Sequence, residues 1–263
     1  MKPTVSVIVP VYNNSDGTQK LLEALKTQDY PQDRYEVLIV DNGSKDETIN
    51  VIQATVDELD NFELLIEANI RGSYAARNKG VLAANGSILA FTDSDCIPIM
   101  GWISSGVKNL LKYQVNCGGG QIKHIYSKEK PNLHEKFDTL NRLNQQYYIE
   151  NRGFSATANL FIYKKLLKKI GMFNADLLSS GDLEFGQRVQ KSRNKIIYIP
   201  DAIVNHPARK TLKANIKKSI RLAVGRKQIS KLRNNADSTL IKFRNENSLI
   251  RNLSIIELGK VLF

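Results

Sequence analysis

Short apolar runs alternate with helix-like segments through the first third of the chain. The runs at 4–11, 35–40, 62–66 and 87–92 are rich in valine, isoleucine and leucine. They are mostly continuous rather than alternating in polarity, which is typical of parallel strands covered on both faces. The sequence therefore predicts an α/β fold in which a mostly parallel sheet is flanked by helices.

The composition is that of an ordinary globular protein. The 263 residues are 42% apolar and 24% charged, which is enough for a full hydrophobic core. Cys96 and Cys117 are too few for a disulfide framework and form no paired metal-binding motif. The apolar stretch at the start is too short for a signal peptide, and no run is long enough to span a membrane. We expect a cytoplasmic protein.

Acidic and aromatic residues follow three of the predicted strands directly. Asp93 and Asp95 come after the strand at 87–92, and in an extended segment residues two apart point to the same side. Both carboxylates can then face one hard divalent cation, although a solvated turn explains the pair alone equally well. Tyr12 and Asp41 also follow strands, and ligands of open α/β sheets bind beyond the carboxyl ends of the strands.

The phosphate-binding motifs of other nucleotide-binding folds are missing from the sequence. Neither G-x-G-x-x-G nor G-x-x-x-x-G-K-[ST] follows the first strand. Phosphates would instead be held by a metal and by arginines, with Arg71 and Arg77 as the candidates.

Four motifs together resemble the family 2 glycosyltransferases of the GT-A fold. They are V-I-V-P-V-Y-N at 7–13, V-D-N-G-S at 40–44, A-R-N at 76–78 and D-S-D at 93–95, within a resemblance that spans residues 4–209. The resemblance implies an inverting transferase that uses a nucleoside-diphosphate sugar, with a UDP-sugar favoured, and Mn²⁺ or Mg²⁺. Its predicted nucleotide-sugar site comprises Pro10, Tyr12, Asp41, Arg71, Arg77, Asn78 and Asp93. Its predicted metal ligands are Asp93, Asp95 and His206.

A second pair of acids supplies the candidates for catalysis. Asp182 and Glu184 lie in the first turn of a predicted helix, where acids also stabilise the positive end of the helix dipole. The segment is similar to the family's E-D-x-D/E-L/F-x-x-R element when Arg188 is matched to its arginine, with Gly181 where the family often has glutamate. The resemblance implies that Asp182 is the catalytic base and Glu184 the second acid. His206 is placed in a loop, where a structural role is as good an explanation as a site role.

We divide the chain into three segments. Residues 1–115 form a nucleotide-sugar-binding half, and residues 116–208 form an acceptor-binding half with one polar helix over 132–150. Residues 209–263 form a basic helical extension that ends in a short apolar helix over 249–263. The acceptor is expected to be a saccharide or a lipid-linked molecule, in cell-surface polysaccharide or glycoconjugate synthesis.

The basic extension carries most of the net charge of the chain. Residues 209–235 contain ten lysines and arginines and no acid, out of a net charge of +12. Leu212, Ile216 and Ile220 share one helix face beside a basic stripe, which is the pattern of a helix on an anionic membrane surface. A helix docked on the body with a solvated basic face explains the pattern equally well. We expect a protein that is cytoplasmic and peripheral on the inner face of the membrane.

Two other functions compete with the transferase. A nucleotidyltransferase shares the sheet and the metal acids but needs a glycine-rich loop with a lysine after the first strand, which 11–14 does not supply. A non-catalytic basic module would bind membrane or nucleic acid through 209–235. No aromatic residue interrupts that segment, so it has no stacking platform for single strands, and we expect no nucleic-acid partner.

Overall fold

The computed structural model describes residues 3–141 and 143–236, in which eight strands form one sheet. The strands are β1 (Val5–Val11), β2 (Tyr35–Asp41), β3 (Phe62–Ile66), β4 (Ile88–Thr92), β5 (Ile97–Pro98), β6 (Cys117–Ile125), β7 (Asn159–Tyr163) and β8 (Ile196–Pro207). The helices are α1 (Ser15–Lys26), α2 (Thr48–Val56), α3 (Ser73–Ala83), α4 (Trp102–Lys112), α5 (Leu133–Asn141), α6 (Gln145–Arg152), α7 (Lys164–Ile170), α8 (Gly181–Lys191) and α9 (Leu212–Ala236).

The strand order is β3-β2-β1-β4-β7-β6-β8-β5. Pairing is parallel between β1 and its neighbours β2 and β4, between β2 and β3, and between β6 and β8. It is antiparallel where β7 joins β4 to β6 and where β5 closes the edge on β8. The predicted α/β fold is confirmed, and strands from 1–115 and 116–208 share one sheet. The boundary between the two halves stays a prediction.

Apolar residues cover both faces of the sheet. Val7 and Val9 of β1 join a cluster that includes residues of α1, α2 and α4, whereas Ile8 joins a cluster that includes residues of α3, α7 and α8. Trp102 is fully buried and packs against Phe161 of β7, with ring centroids 5.0 Å apart. The continuous apolar strands follow from this arrangement, because neither face of the sheet is left to water.

The single helix predicted over 132–150 is wrong, because two helices occupy this region. The α5 helix ends at Asn141, and α6 begins only at Gln145. Leu143, between them, has a φ of 56°, in the left-handed region that a helix cannot contain. The side chain of Asn144 then caps α6 by accepting from the Tyr147 amide at 3.0 Å.

The β8 strand runs through to Pro207, so the prediction that His206 lies in a loop is wrong. The register jumps within β8, because Gly120 pairs with Ile199 whereas the next residue of β6 pairs with Ile203. A Cβ on Gly120 would lie 2.2 Å from the Ala202 carbonyl oxygen, so glycine permits this bulge. Beyond it β8 continues, with His206 opposite a residue of β6.

The basic segment forms a helix that packs on the body. In α9, the Gly225 backbone approaches Ser179 so closely that a Cβ would lie 2.3 Å from the Ser179 carbonyl oxygen. Ile229 is buried, and the Asn215 amide donates to the His134 carbonyl at 3.1 Å. The predicted helix over 249–263 lies outside the described residues. No described helix combines the length and the low polarity needed to cross a membrane.

Candidate active site

A cleft of about 1030 Å³ opens beyond the carboxyl ends of β1 and β4. The α8 N-terminus and one side of α9 complete its walls. Eight of the predicted site residues line it, namely Pro10, Tyr12, Arg71, Arg77, Asp93, Asp95, Asp182 and His206. Asp41, Asn78 and Glu184 do not belong to this lining. The cleft therefore joins residues from both halves of the chain at the edge of the sheet where ligands are expected.

The loop after β3 is held against β1 and β2 by Asn42. Its side-chain amide donates to the carbonyls of Glu67 and Ile70 at 2.8 and 2.9 Å, and its oxygen accepts from the Gly72 amide at 2.6 Å. These bonds fix the loop that carries the exposed Arg71 into the cleft. Asn42 is a positioning residue that sequence reasoning missed, although it lies in the V-D-N-G-S motif.

Asp41 precedes Asn42 in the sequence and is buried, with 1% of its surface exposed. Its Oδ2 accepts from the backbone amides of Gly43 and Ser44 at 2.8 and 3.0 Å, which shapes the turn after β2. Its Oδ1 is buried and has no hydrogen-bond partner among the described residues. One carboxylate oxygen is therefore left to accept a hydrogen bond from outside the fold.

Asp93 forms an ion pair with Arg77. The Arg77 guanidinium, only 3% exposed, donates to Asp93 Oδ1 and lies 5.5 Å from the centre of the Tyr74 ring. A buried guanidinium that donates to a carboxylate fixes the orientation of that carboxylate. Arg77 therefore acts on the cleft through Asp93.

Asp95 and His206 face each other across the cleft floor. Asp95 Oδ2 lies 3.6 Å from His206 Nε2, and His206 Nδ1 lies 2.9 Å from the Pro207 carbonyl oxygen. A carbonyl only accepts, so this contact places a ring proton on Nδ1 and turns Nε2 towards Asp95. A carboxylate oxygen and an imidazole nitrogen this close suit one divalent cation, so both residues fit the predicted metal.

Cys96 completes a group of three potential ligands with Asp95 and His206, whose ligand atoms all lie within 4.8 Å of one another. The thiol is fully buried. Burial, and then the charges of Asp95 and Asp93, raise the pKa of Cys96 well above its ordinary value. Without a cation beside it, the thiol therefore keeps its proton.

Asp182 stands at the start of α8 and faces the cleft. Its carboxylate accepts from the Thr157 amide at 3.3 Å and from the Thr157 hydroxyl at 3.1 Å. The Tyr74 hydroxyl accepts from the Gly181 amide at 2.8 Å and lies within hydrogen-bonding reach of Asp182. Burial, and then the charge of Asp182, raise the pKa of Tyr74, which stays protonated. The carboxylate is thus oriented from two sides.

Glu184 and Asn78 are engaged within the protein. Arg188 donates to both oxygens of Glu184, at 2.7 and 3.0 Å, and also to the carbonyls of residues 170–172. The Asn78 side chain makes two hydrogen bonds, at 2.8 and 3.0 Å, to the backbone of Phe173. These two predicted site residues therefore do not line the cleft. Their hydrogen bonds instead stabilise the segment between β7 and α8. Their predicted roles at the site stay predictions.

Several cleft residues were missed by sequence reasoning. They come from α6 and its C-terminal end and from α9, and include Tyr147, Tyr148, Arg152, Lys218, Arg221 and Arg226. In the sequence, the three from α9 count only among the ten basic residues of 209–235. Their spacing of three and eight residues from Lys218 places them on one helix side, but only the docking of α9 shows that this side faces the cleft.

Comparisons with known proteins agree with this fold. The family model of glycosyl transferase family 2 matches residues 6–171. Glycosyltransferase AglE of Haloferax volcanii is 37% identical over 230 residues, which cover 86% of this chain and 74% of AglE. A dolichyl N-acetyl-alpha-D-glucosaminyl phosphate 3-beta-D-2,3-diacetamido-2,3-dideoxy-beta-D-glucuronosyltransferase of Methanococcus voltae is 26% identical over 82% of this chain and 70% of its own length.

Solved structures show the same architecture. A mannosyltransferase from Pyrobaculum calidifontis in complex with GDP-Man and Mn²⁺ superposes with a TM-score of 0.69 at 22% identity, over 92% of this chain and 66% of that one. TarS residues 1–349 from S. aureus in complex with UDP-GlcNAc give 0.63 at 23% identity, over 82% and 64%. At these identities the likeness shows the GT-A fold alone. Fold and sequence relatives together define a glycosyltransferase. Within that class, the chain belongs to glycosyl transferase family 2.

Proposed function

We propose that the protein transfers a sugar from a nucleoside-diphosphate sugar to an acceptor hydroxyl, with inversion at the anomeric carbon and with Mn²⁺ or Mg²⁺. One observation carries the proposal. Tyr12 from the end of β1, Asp93 and Asp95 from the end of β4, and Asp182 from the start of α8 share one cleft. We favour a UDP-sugar as donor and take a GDP-sugar as the next candidate, since structural neighbours bind UDP-GlcNAc and GDP-Man.

The nucleotide would lie at the end of the cleft formed by β1 and β2. Tyr12 is 48% exposed and offers a ring face to the base, beside Pro10. The unpartnered Oδ1 of Asp41 can accept from the base or ribose after a small adjustment of the turn. Arg71, held in place by the Asn42 loop, offers its guanidinium to the diphosphate.

Asp95 and His206 would hold the divalent cation, and Asp93 would lie beside them, paired with Arg77. When bound, the cation supplies positive charge that stabilises the departing nucleoside diphosphate. In this arrangement Arg77 orients Asp93, and the Pro207 carbonyl holds the His206 ring with Nε2 towards Asp95.

Asp182 would act as the general base. Its carboxylate takes the proton of the acceptor hydroxyl while that oxygen attacks the anomeric carbon from the side opposite to the diphosphate, which inverts the centre. Such a base contributes about 10² to 10⁴ in rate. Thr157 and Tyr74 orient Asp182, whereas both oxygens of Glu184 are occupied by Arg188, so Asp182 ranks before Glu184.

The protein would work on the cytoplasmic surface of a membrane, in cell-surface polysaccharide or glycoconjugate synthesis, on a saccharide or lipid-linked acceptor. Four large apolar side chains on two neighbouring helices are 46–84% exposed: Leu133 and Leu140 of α5, and Leu212 and Ile216 of α9. Exposed lysines lie beside them at 210, 213 and 217. Apolar residues flanked by lysines suit an anionic bilayer surface.

Release of nucleoside diphosphate from a panel of UDP-, GDP-, dTDP- and CDP-sugars, with Mn²⁺ or with EDTA, tests the enzymatic proposal. We expect one donor class to be turned over and EDTA to stop it. Asp182→Asn should lower kcat by about 10² to 10⁴, and Asp95→Ala should abolish the response to Mn²⁺. Asp201→Asn, an exposed acid on the strand that carries His206, is the matched control and should keep full activity. Turnover that ignores chelation and survives Asp95→Ala would refute the metal site.

Co-sedimentation with liposomes tests the membrane surface separately. Binding should require anionic lipid, weaken with salt, and fall when Leu133 and Leu140 are changed to serine. Equal recovery of wild type and variant with the liposomes would remove this surface and leave the catalytic proposal intact.

A further inference from the structure

Four cationic side chains that have no part in the proposed sugar-nucleotide site line the cleft. They are Arg152, at the end of α6, and Lys218, Arg221 and Arg226 of α9, and together we call them the cationic wall. Another cation of the lining, Arg209, is already paired with the buried Asp138 at 3.2 Å and is not included.

The cationic wall makes no direct ion pair within the described residues. None of its four members forms an ion pair or a hydrogen bond with a residue in the described part of the chain. Burial, and then Arg221 and Arg209, lower the pKa of Lys218 to about 7. The charged form of this lysine is therefore less favourable than that of an exposed lysine. Burial, and then Arg152, also lower the pKa of Arg226. Like charges that crowd one wall without a partner form a site for an anion.

The cationic wall extends away from the catalytic acids. Lys218 is close enough to Asp93 and Asp182 to feel their charge, whereas Arg226 is influenced by Arg152 and Tyr148. Eight residues of helix separate Lys218 from Arg226, a distance of about 12 Å along the axis. One end of the wall is thus near Asp93 and Asp182, and the other is near Arg152 and Tyr148. An anion at Arg152 and Arg226 would be separate from the sugar nucleotide.

Exposed apolar side chains share the cleft with these cations. Leu140 is 84% exposed, Leu178 and Tyr147 are each 50% exposed, and all three belong to the cleft lining. Leu222 lies on α9 between the cations. Leu140 belongs both to the cleft lining and to the proposed membrane surface. Exposed leucines beside unpaired arginines match a molecule that is anionic at one end and hydrocarbon at the other.

We propose that the cationic wall is a subsite for the phosphate of a lipid-phosphate-linked acceptor, with the lipid chain leaving over Leu140 towards the membrane. Arg152 and Arg226 bind the phosphate, and Lys218 and Arg221 bridge from there to the acceptor sugar beside Asp182. This assignment rests on the proposed glycosyl transfer, because it names the class of acceptor for that reaction. It also commits the protein to an anionic amphiphile rather than to a soluble saccharide.

Titration calorimetry on the full chain tests the subsite with farnesyl phosphate, inorganic phosphate and farnesol as probes. Farnesyl phosphate should bind at least about tenfold more tightly than either of the others, because only it offers both charge and hydrocarbon. The double variant Arg152→Gln/Arg226→Gln should lose at least about tenfold of that affinity, and Arg226→Gln alone should lose part of it. Both arginines are exposed, so the variants should fold. Lys168→Gln/Lys169→Gln, which removes the same charge from exposed positions on α7, should bind like wild type.

UDP and GDP binding with Mn²⁺, measured on the same samples, identifies which site has changed. The double variant should keep the nucleotide affinity of wild type within about twofold. Equal binding of inorganic and farnesyl phosphate would overturn the lipid assignment in favour of a free phosphate. Farnesyl phosphate affinity that survives in the double variant, or nucleotide affinity lost in parallel, would overturn the subsite. If farnesyl phosphate binds but no sugar nucleotide is turned over, only the proposed transfer fails.

Discussion

Replacement of Lys218 by methionine should make the protein more stable and less active. Burial, and then the charges of Arg221 and Arg209, lower the pKa of Lys218 from 10.5 to about 7 in the folded protein. The unfolded chain therefore binds this proton more tightly than the folded protein does. Between pH 10.5 and about 7 the lysine reduces stability progressively as the pH falls, and below pH 7 the cost stays constant.

The size of the effect follows from the same difference. A change from 10.5 to about 7 corresponds to at most about 5 kcal/mol. Lys218 is only half-buried, so solvent screening reduces the cost, and we expect Lys218→Met to raise the free energy of unfolding by about 1–3 kcal/mol at pH 6.5. Methionine fills a similar volume along the helix without the charge, so little packing should be lost. The gain should shrink steadily as the pH approaches 10.

Urea unfolding of wild type and variant at pH 6.5, 8 and 9.5 measures this difference as a shift of the midpoint at an unchanged m-value. Lys217→Met changes the preceding, exposed lysine and should alter stability by less than about 0.5 kcal/mol at every pH. The reasoning is refuted if Lys218→Met is no more stable than wild type at pH 6.5, or if its gain is the same at all three pH values. The variant should also bind farnesyl phosphate more weakly, since one charge of the cationic wall is gone.

Three further substitutions test how the fold supports the cleft. Arg188→Gln should lower stability by about 2–4 kcal/mol in urea unfolding, because charged hydrogen bonds to three carbonyl groups are lost; Lys191→Gln on the same helix should not. Phe161→Ala should cost about 3–5 kcal/mol through the cavity left under the sheet, and a thermal shift of only a degree or two would contradict full burial. Asn42→Ala should raise the KM for the sugar nucleotide by about tenfold and change kcat less. The reason is that the loop carrying Arg71 loses the three hydrogen bonds that hold it. An unchanged KM would exclude this positioning role.

Local patterns were sufficient to predict the first four strands of the fold. The strands β1 to β4 are continuous apolar runs closed by turn residues, and each is recognisable from its own few residues. Because parallel strands end at one edge, the placement of Tyr12, Asp93 and Asp95 beside one cleft followed from the strand boundaries. Where the pattern misled, the cause was equally local. The polar run at 132–150 has helical composition throughout, and the break at Leu143 depends on backbone conformation rather than on a proline or glycine.

Only the tertiary structure could decide which charged groups meet. The 3.6 Å approach of Asp95 to His206 depends on a bulge in β8 that brings the strand back into pairing with β6. Two acids in one helical turn have different environments because Arg188 occupies Glu184 whereas Asp182 faces the cleft. The sequence by itself determined that α9 is a basic helix, since periodicity and charge are local properties. Its division into exposed lysines and a cationic wall depends on how it docks, and docking is settled by long-range packing that periodicity does not encode.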